Sequence, residues 1–421
     1  MDVVCAKCAW AIGIEIQELL ISPPQRALTL ESLKVRFVYL ILAGICVYGA
    51  SVCSRIRSDD AKPRIREIIL SPMNMAQRPR LLTISPEEFY ATWFEFADIQ
   101  LGKVKRSMVV SPYDAKQKKF GPAFRGFKTD WAKGVGLTDT AAELALLPRK
   151  SKKEEMPILF AAFERHDFLV FDNAPPFLFA ILTPDVEKRE YRTTELKRVF
   201  GPEARVGPNR IPGAVGMDLV LWSPKGNKER LLLFGSLDRL WSCVSPDLGK
   251  TWEKPQVILD TRQGGHHVKA CISSGPKLTL FFSRNDDLKM MHSRDGVTWS
   301  KPTTIKMSYE TSSGFPFVEP DGTIWLAFSG MINKTKNFAI FLTQSKDQGE
   351  TWAKPIQLTK GDQVDDNPSL AVGKNELILL FNRFGRGKRT LSTVAALVVD
   401  RNSLPVEFEP KTKREKEKKM P

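Results

Sequence analysis

The chain has 421 residues, of which 42% are hydrophobic and 26% charged, and its formal net charge is +15. This length and composition exclude a wholly disordered chain and fit one large folded domain or two smaller ones. Part of the positive charge lies in the tail Lys411–Lys419 and more of it in short runs, without a helix-turn-helix, zinc-finger or RNP pattern. We therefore expect a basic disordered tail over residues 404–421 and no nucleic-acid partner.

The first hydrophobic segment is Phe37–Cys53, an uncharged run flanked by basic residues. Its length is at the lower limit for spanning a bilayer and slightly beyond a usual signal-peptide core. Residues 33–57 are therefore predicted to be a signal peptide or a membrane anchor, and membrane contact is expected only here. Residues 1–32 form an N-terminal extension, unless translation starts near Leu33. In either case the folded part is expected outside the cytoplasm: periplasmic, secreted or anchored.

The cysteines predict no metal centre. Cys5 and Cys8 form a CxxC motif, but no second Cys or His pair completes a metal site, and no cofactor motif is present. We therefore expect neither metal nor cofactor. Cys243 and Cys271 lie in apolar, strand-like segments, where two buried thiols and one disulfide remain equally open.

Residues 66–204 contain strand candidates, among them Pro157–Phe163 and Phe177–Leu182, but no intact copy of the repeat that follows. Val110–Phe120 is at most a remnant of it. Two interpretations remain open: two degenerate copies of the repeat, or a separate α+β domain. Residues 134–148 suit a helix, which would favour the second interpretation.

A repeated turn motif begins in the second half of the chain. Three segments share Ser-x-Asp, a Gly, Thr-Trp and then x-Lys-Pro: Ser245–Pro255, Ser293–Pro302 and Ser345–Pro355. The Asp accepts hydrogen bonds from backbone NH groups of its own turn, Gly takes a conformation that other residues avoid, and Trp fixes the turn on a sheet. The structural residues of these Asp boxes are Ser245, Asp247, Gly249, Trp252, Ser293, Asp295, Gly296, Trp299, Ser345, Asp347, Gly349 and Trp352.

An apolar run precedes each Asp box, and a fourth run has no Asp box after it: Leu231–Phe234, Leu278–Phe282, Ile324–Phe328 and Leu377–Phe381. A further short strand precedes each run. Each unit is thus three or four antiparallel strands ending in a Trp-locked turn, which describes a propeller blade. At roughly 55 residues a blade, residues 66–403 predict an all-β, six-bladed β-propeller, with clear blades over 205–403 and degenerate ones over 66–204.

The repeat over about 205–400 resembles the Asp-box (BNR-repeat) sialidase-like superfamily of six-bladed propellers. The resemblance implies an Arg-Ile-Pro motif whose Arg joins two others to clamp a substrate carboxylate, an Asp acid/base and a Tyr–Glu nucleophile. Asn209–Pro212 resembles that motif, which makes Arg210 a candidate. Arg284 and Arg383 follow apolar runs in equivalent places. Gly235-Ser236 stands where the family usually has Gly-Arg.

The starts of the inner strands are expected to face one mouth of the central channel, and the candidate residues other than Tyr309 are expected there. The candidate catalytic residues are Asp238, Asp365, Asp366 and Tyr309. The candidate substrate-binding residues are Arg210, Arg284, Arg383, His266 and His267. Ordinary roles remain open for most of them: salt bridges for the arginines, hydrogen bonds for the loop histidines, and calcium ligands or plain loop acids for the aspartates.

These features predict an exported, sialidase-like glycoside hydrolase that acts on acidic glycans, with the substrate carboxylate held by arginines at the propeller mouth. The alternative is a non-catalytic BNR-repeat propeller that binds glycan or protein on its face. The expected partner is a carbohydrate, an acidic glycan, although the alternative also admits a protein. Whether the chain is an enzyme stays open.

Overall fold

The computed structural model describes residues 63–71, 76–100, 103–130, 143–147, 156–164, 177–194, 197–200, 216–224, 228–236, 239–260, 266–274, 276–284, 287–305, 311–332, 337–385 and 392–405. All of them belong to one compact unit, Asp60–Pro421. The predicted export segment and the basic tail beyond residue 405 lie outside the described residues. Among the described residues, no helix is long and apolar enough to cross a membrane.

Every regular element in these ranges is a β-strand, apart from a single 3-10 turn at Arg401–Ser403, so the all-β prediction is confirmed. Strand β1 (Ile65–Ile69) comes first and pairs with the last strand of the chain. The next ten strands share one sheet: β2 Ala76–Ser85, β3 Glu88–Gln100, β4 Lys103–Asp114, β5 Lys119–Phe120, β6 Phe124–Asp130, β7 Glu143–Leu147, β8 Ile158–Glu164, β9 Phe177–Asp185, β10 Glu190–Thr193 and β11 Lys197–Arg198.

This ten-stranded sheet contains two four-stranded groups, β2-β3-β4-β6 and β7-β8-β9-β10, joined edge to edge because β6 and β10 pair in parallel. We call these groups blades one and two. The helix expected over 134–148 is wrong for residues 143–147, which form β7 and pair antiparallel with β8. Leu144 is buried between sheets, and this tertiary pairing overrides the helical preference of an Ala- and Leu-rich segment.

Four more sheets complete the described fold. Blade three holds β12 Gly216–Trp222, β13 Arg230–Ser236, β14 Arg239–Ser245 and β15 Gln256–Asp260. Blade four holds β16 His266–Ser274, β17 Lys277–Arg284, β18 Asp287–Ser293 and β19 Thr303–Thr304. Blade five holds β20 Thr311–Val318, β21 Ile324–Met331, β22 Phe338–Ser345 and β23 Ile356–Gln357. Blade six holds β24 Val364–Val372, β25 Glu376–Phe384, β26 Ser392–Asp400 and, as its outermost strand, β1.

The six inner strands form a closed ring. In chain order β2, β7, β12, β16, β20 and β24 each contact the next, and β24 contacts β2. The six-bladed propeller is therefore confirmed, and because β1 adds to β26, strands from both ends of the folded region close it. Six apolar clusters fill the spaces between neighbouring blades, so no blade buries its faces alone.

Two faces of the ring must be distinguished. The first residues of each inner strand and the last residues of the antiparallel second strand lie on one face, which we call the mouth face. The third strand runs to the opposite face, where the Asp boxes follow β14, β18 and β22; we call this the Asp-box face.

The Asp boxes carry the hydrogen bonds that the sequence predicts. In blade three, Asp247 Oδ1 accepts the Thr251 amide at 2.8 Å and Ser245 Oγ accepts the Gly249 amide at 2.7 Å. Gly249 has φ +89°, in the region that glycine tolerates best. The hydrogen bonds from Thr251 lower the pKa of Asp247. The turn is thus held by hydrogen bonds between the side chains of the motif and its own backbone amides.

Each Asp box packs on the preceding blade. The Trp252 ring lies 5.4 Å from Phe179 of blade two, and the Trp299 ring lies 5.8 Å from Phe234 of blade three. Trp352 belongs to a cluster with Met290 of blade four. The motif therefore joins neighbouring blades in addition to shaping its own turn.

The other three blades have an aspartate-capped turn at the same place. Asp114 accepts two backbone amides after β4, Asp185 accepts the Lys188 amide after β9, and Asp400 accepts the Asn402 amide after β26. The weak remnant at residues 110–120 thus contains a real turn. In blade six Arg401 makes the contact with the preceding blade that tryptophan makes in the Asp boxes. It forms an ion pair with Glu319 and lies over the Trp325 ring of blade five.

Candidate functional site

A channel of about 320 Å³ runs through the centre of the ring, lined by residues from all six inner strands. Its polar lining includes Thr83, Asp218 and Ser273, and Phe315 contributes an aromatic surface. This volume is at the small end of ligand pockets, which span roughly 300–1,000 Å³. The Asp218 carboxylate accepts the Cys271 amide, which joins blades three and four beside the channel.

Arg80 extends across this channel. It stands on β2 of blade one, yet Nη1 donates to the Lys269 carbonyl on β16 at 3.2 Å, and Cζ lies 5.0 Å from the centre of the Phe315 ring on β20. Blades one and four are opposite each other in a ring of six, so the guanidinium crosses the axis. This places a permanent positive charge near the axis of the ring, beside Phe315 of the channel lining, and a guanidinium there can bind a carboxylate.

Arg80 could not be recognised from the sequence, because residues 66–204 carry no intact Asp box to fix a register. The only available signal was the sequence Arg78-Pro79-Arg80, which lies in the first half of β2 and precedes its large apolar residues. The structure shows that β2 is the first inner strand of the ring, whereas Arg210 precedes blade three.

At the mouth face, Asp366 is held by the neighbouring blade. Its Oδ1 accepts the Ser313 hydroxyl at 2.6 Å and the Asn367 amide at 2.7 Å. Asn367 has φ +52°, a conformation that Asn tolerates better than most residues. These contacts fix a half-buried carboxylate at the mouth-face end of an inner strand.

Asp365 and Arg383 form an ion pair on the face of blade six. Arg383 Nε and Nη2 donate to the two carboxylate oxygens of Asp365 at 2.7 and 3.1 Å, and Nη1 donates to Glu67 on the outermost strand β1. The guanidinium also lies 5.2 Å from the centre of the Phe381 ring. Arg383 therefore extends across the blade, between its innermost and outermost strands, with all three nitrogens bound to carboxylates.

Burial and the ion pair shift the pKa of each partner in opposite directions. The Asp365 side chain is 2% exposed, and burial raises the pKa of its carboxyl although Arg383 opposes the rise. Burial lowers the pKa of Arg383, but its bonds to Asp365 and Glu67 outweigh that effect, so the net pKa is raised. The sequence left open that Arg383 forms an ordinary salt bridge, and the structure shows that salt bridge. Its role in substrate binding stays a prediction.

The remaining site predictions are only partly visible. Arg210, Asp238 and Tyr309 lie outside the described residues. His266, His267 and Arg284 lie in described strands, but their side chains are not described. The backbone register pairs His266 with Arg284, as it pairs Asp365 with Arg383, so both pairs stand at the mouth-face end of their blades.

A tyrosine–glutamate pair exists at the opposite face. Tyr113 donates to Glu376 Oε1 at 2.8 Å, between blades one and six, where β4 ends and β25 begins. Tyr113 is 5% exposed and Glu376 is 6% exposed. Burial and then the bond to Glu376 raise the pKa of Tyr113, so its hydroxyl stays protonated at neutral pH. This buried pair joins two blades and does not suit a nucleophile.

The described residues contain neither a cluster of metal-ligating side chains nor a disulfide. Within the described ranges, no group of three or more His, Cys, Asp or Glu side chains could hold a metal ion. Cys243 and Cys271 are both free and buried, in separate blades, which decides between the alternatives left open by the sequence. Burial raises the pKa of both thiols.

Residues 221–392 match the BNR repeat-like domain family. Among solved structures, the chain is similar to the intramolecular trans-sialidase of Ruminococcus gnavus in complex with oseltamivir carboxylate, with 13% identity, 81% of this chain and 97% of that chain covered, and a TM-score of 0.51. It is also similar to an α-L-arabinofuranosidase from Fusarium graminearum, with 14% identity, 80% and 97% covered, and a TM-score of 0.51.

A third similar structure is the leech intramolecular trans-sialidase, with 12% identity, 80% of this chain and 70% of that chain covered, and a TM-score of 0.52. No curated protein matches the chain. At these identities the structural likeness concerns the fold. The match over residues 221–392, the capped turns and the closed ring of six blades together confirm the resemblance to Asp-box, BNR-repeat propellers of the sialidase-like superfamily.

Proposed function

We propose that this protein is a glycoside hydrolase of the sialidase-like type that acts on an acidic glycan at the mouth face of its propeller. The observation that carries the proposal is Arg80, whose guanidinium crosses the central channel between opposite blades. The similarity to trans-sialidases and to an arabinofuranosidase supports a carbohydrate substrate. The positive charge of Arg80 favours an acidic sugar over a neutral one.

The proposed roles follow from charge and placement. Arg80 binds the carboxylate of the sugar by charge-assisted hydrogen bonds. Asp366 serves as an acid/base group for the departing glycosidic oxygen, because Ser313 and the Asn367 amide hold its carboxylate in place at the mouth. Arg210, Arg284, His266 and His267 remain proposed substrate contacts, and Asp238 and Tyr309 remain proposed catalytic candidates. Arg383 and Asp365 act as positioning residues that tie the innermost strand of blade six, β24, to its outermost strand, β1.

A second candidate function is supported by two observations. Arg383 is saturated by carboxylates, and the described Tyr–Glu pair lies buried at the Asp-box face. Both favour a non-catalytic propeller that binds glycan without cleaving it. The same channel and the same Arg80 would then form a lectin-like site.

The decisive experiment compares hydrolysis of fluorogenic sialoside, glucuronide, arabinofuranoside and galactoside by the wild type and two variants. We expect turnover of an acidic glycoside, a KM raised about tenfold or more in Arg80→Gln, and a kcat lowered about a hundredfold in Asp366→Asn. Arg125→Gln, which removes an exposed arginine from outer strand β6, should leave both constants unchanged. Binding of acidic glycan without turnover of any substrate would establish the second function instead.

We also propose that the protein is exported, with residues 37–53 as its signal peptide or membrane anchor. The support is the sequence alone: an uncharged apolar run with basic flanks. Fractionation of the native cells and N-terminal sequencing test it. A cytoplasmic protein with residues 1–57 intact would contradict the proposal.

A further inference from the structure

An open groove lies on the Asp-box face, away from the channel mouth. Its volume is about 630 Å³, which lies within the range of roughly 300–1,000 Å³ typical of ligand pockets. It lies between blades four and five, bordered by the Asp box that follows β18, by Gln348 of the next Asp box, and by Gly322 in the turn between β20 and β21.

Three basic side chains meet in this groove: Lys277 and His292 from the paired strands β17 and β18, and Arg294 from the Asp box. Lys277 Nζ donates to Gln348 Oε1 at 2.8 Å, which fixes it against the next blade. Burial and then the charge of Arg294 lower the pKa of Lys277. Burial and then the charge of Lys277 lower the pKa of His292 to about 4. The two cations, Lys277 and Arg294, are therefore close enough to repel each other, whereas His292 is uncharged at neutral pH.

No carboxylate in the described ranges forms an ion pair with Lys277 or Arg294. Asp295 lines the groove, but its Oδ1 accepts the amides of Val297 and Thr298 at 2.9 and 2.7 Å and the Ser293 hydroxyl. Its charge is thus directed into its own turn. The groove retains an excess of positive charge that an anion would neutralise.

The rest of the lining suits a sugar. The Trp299 indole and the Ser300 side chain border the groove, and the buried Thr279 hydroxyl lies 3.0 Å from His292 Nδ1. Aromatic surface, hydroxyls and cations together are the groups that bind a hydroxylated ring carrying a negative charge. A side chain added at Gly322 would enter open space, since nothing lies within 4 Å of the position that its Cβ would take.

We propose that this groove is a second, non-catalytic binding site that takes an acidic saccharide through its sulfate or carboxylate group, with Lys277 and Arg294 as the anion ligands. The site is independent of the proposed activity, because it lies on the opposite face of the ring and its anion ligands are remote from Arg80 and Asp366. A propeller with both sites would hold an acidic glycan on one face and act on the other.

The test is calorimetric titration of the full chain with a sulfated hexasaccharide and with its desulfated, N-acetylated counterpart, at low and at physiological salt. We expect the wild type to bind the sulfated sugar only, and more weakly at high salt. Lys277→Gln/Arg294→Gln should weaken binding about tenfold or more, as lost charge-assisted hydrogen bonds require. The matched control Lys250→Gln/Lys254→Gln removes two charges from blade three and should change affinity less than about twofold.

A second pair of variants tests where the saccharide binds while keeping Lys277 and Arg294. Gly322→Asp adds a carboxylate to the groove, whereas Gly322→Asn adds a neutral side chain of the same shape at the same positive φ of +90°. Binding should be lost in the first and retained in the second. Circular dichroism checks that each variant is folded.

The proposal would be overturned by no binding of the sulfated sugar by the wild type, by equal binding of the desulfated sugar, by equal loss in both double variants, or by retained binding in Gly322→Asp. Displacement by sodium sulfate alone at equal affinity would make this an inorganic-anion site, and displacement by a short single-stranded DNA at equal affinity would make it a nucleic-acid site. Either result refutes the saccharide assignment. Hydrolysis by the channel residues is measured separately, so failure of one proposal leaves the other standing.

Discussion

Substitution of Gly249 by alanine tests whether the Asp box of blade three is built against blade two. An added Cβ would lie 2.1 Å from Phe179 Cε1 and 2.3 Å from Cζ, distances that force the ring or the turn to move. Gly249 also has φ +89°, which costs an alanine about 1 kcal/mol whatever the space around it. Overpacking typically adds about 1–3 kcal/mol, so we expect a total loss of about 2–4 kcal/mol in the free energy of unfolding.

Gly322→Ala is the matched control, because Gly322 has φ +90° and nothing within 4 Å of an added Cβ. It should show only the backbone cost of about 1 kcal/mol. The assay is urea unfolding followed by tryptophan fluorescence and circular dichroism. Combining Gly249→Ala with Phe179→Leu should recover part of the loss, with a coupling of at least about 0.5 kcal/mol. Equal losses at Gly249 and Gly322, or no coupling to Phe179, would refute the packing argument.

The remaining predictions concern charges. Arg383→Leu should cost about 3–5 kcal/mol of stability, because it leaves the buried Asp365 carboxylate unpaired, and the double replacement by leucine should cost less; a raised KM at unchanged stability would instead identify Arg383 as a substrate ligand. The pKa of Asp295 is about 2 against an ordinary 3.8, since backbone hydrogen bonds outweigh the effect of burial, so its stabilisation is complete above 3.8 and is lost as the pH falls through 2. Asp295→Asn should therefore flatten the acid limb of the unfolding profile between pH 4 and 2. The pKa of His292 is lowered from 6.5 to about 4, so the unfolded chain takes up the proton first and stability falls as the pH falls from 6.5 to 4. His292→Gln should remove that part of the loss, measured by urea unfolding across the same range; an unchanged slope would contradict the assigned burial. Arg80→Gln should weaken binding of an acidic sugar while leaving a neutral sugar unaffected, measured by titration calorimetry.

The parts of the fold that could be predicted from the sequence are those held by contacts between residues close together in the chain. The Asp box is closed by hydrogen bonds over two to four residues, as from Asp247 to Thr251, so its residue pattern is visible wherever it is intact. The degenerate turn at Asp114 keeps the capping carboxylate but lacks the Gly and Trp, so the sequence shows only a weak remnant there. The turn at Asp185 was missed for the same reason.

The candidate site was harder to predict because its contacts join distant parts of the chain. Arg383 appeared in the sequence as a substrate-binding candidate, yet its guanidinium meets Glu67, which is 316 residues away. Arg80 was missed, because its position in the channel depends on which strand begins the ring. A position in one repeat can be compared with its equivalents, but the direction of a long side chain depends on neighbouring blades.

The sequence by itself determined the repeated unit: antiparallel strands, an apolar second strand and a capped turn, since these follow from alternation and from short-range hydrogen bonds. The repeat length also predicted an all-β ring of six blades, but it left open whether residues 66–204 supply two of them. Only the tertiary structure decided how the ring closes, with β1 as the outer strand of blade six, and which charges face the channel. The physical reason is that ring closure and charge pairing bring together residues hundreds of positions apart, and no local pattern records which of the possible partners will meet.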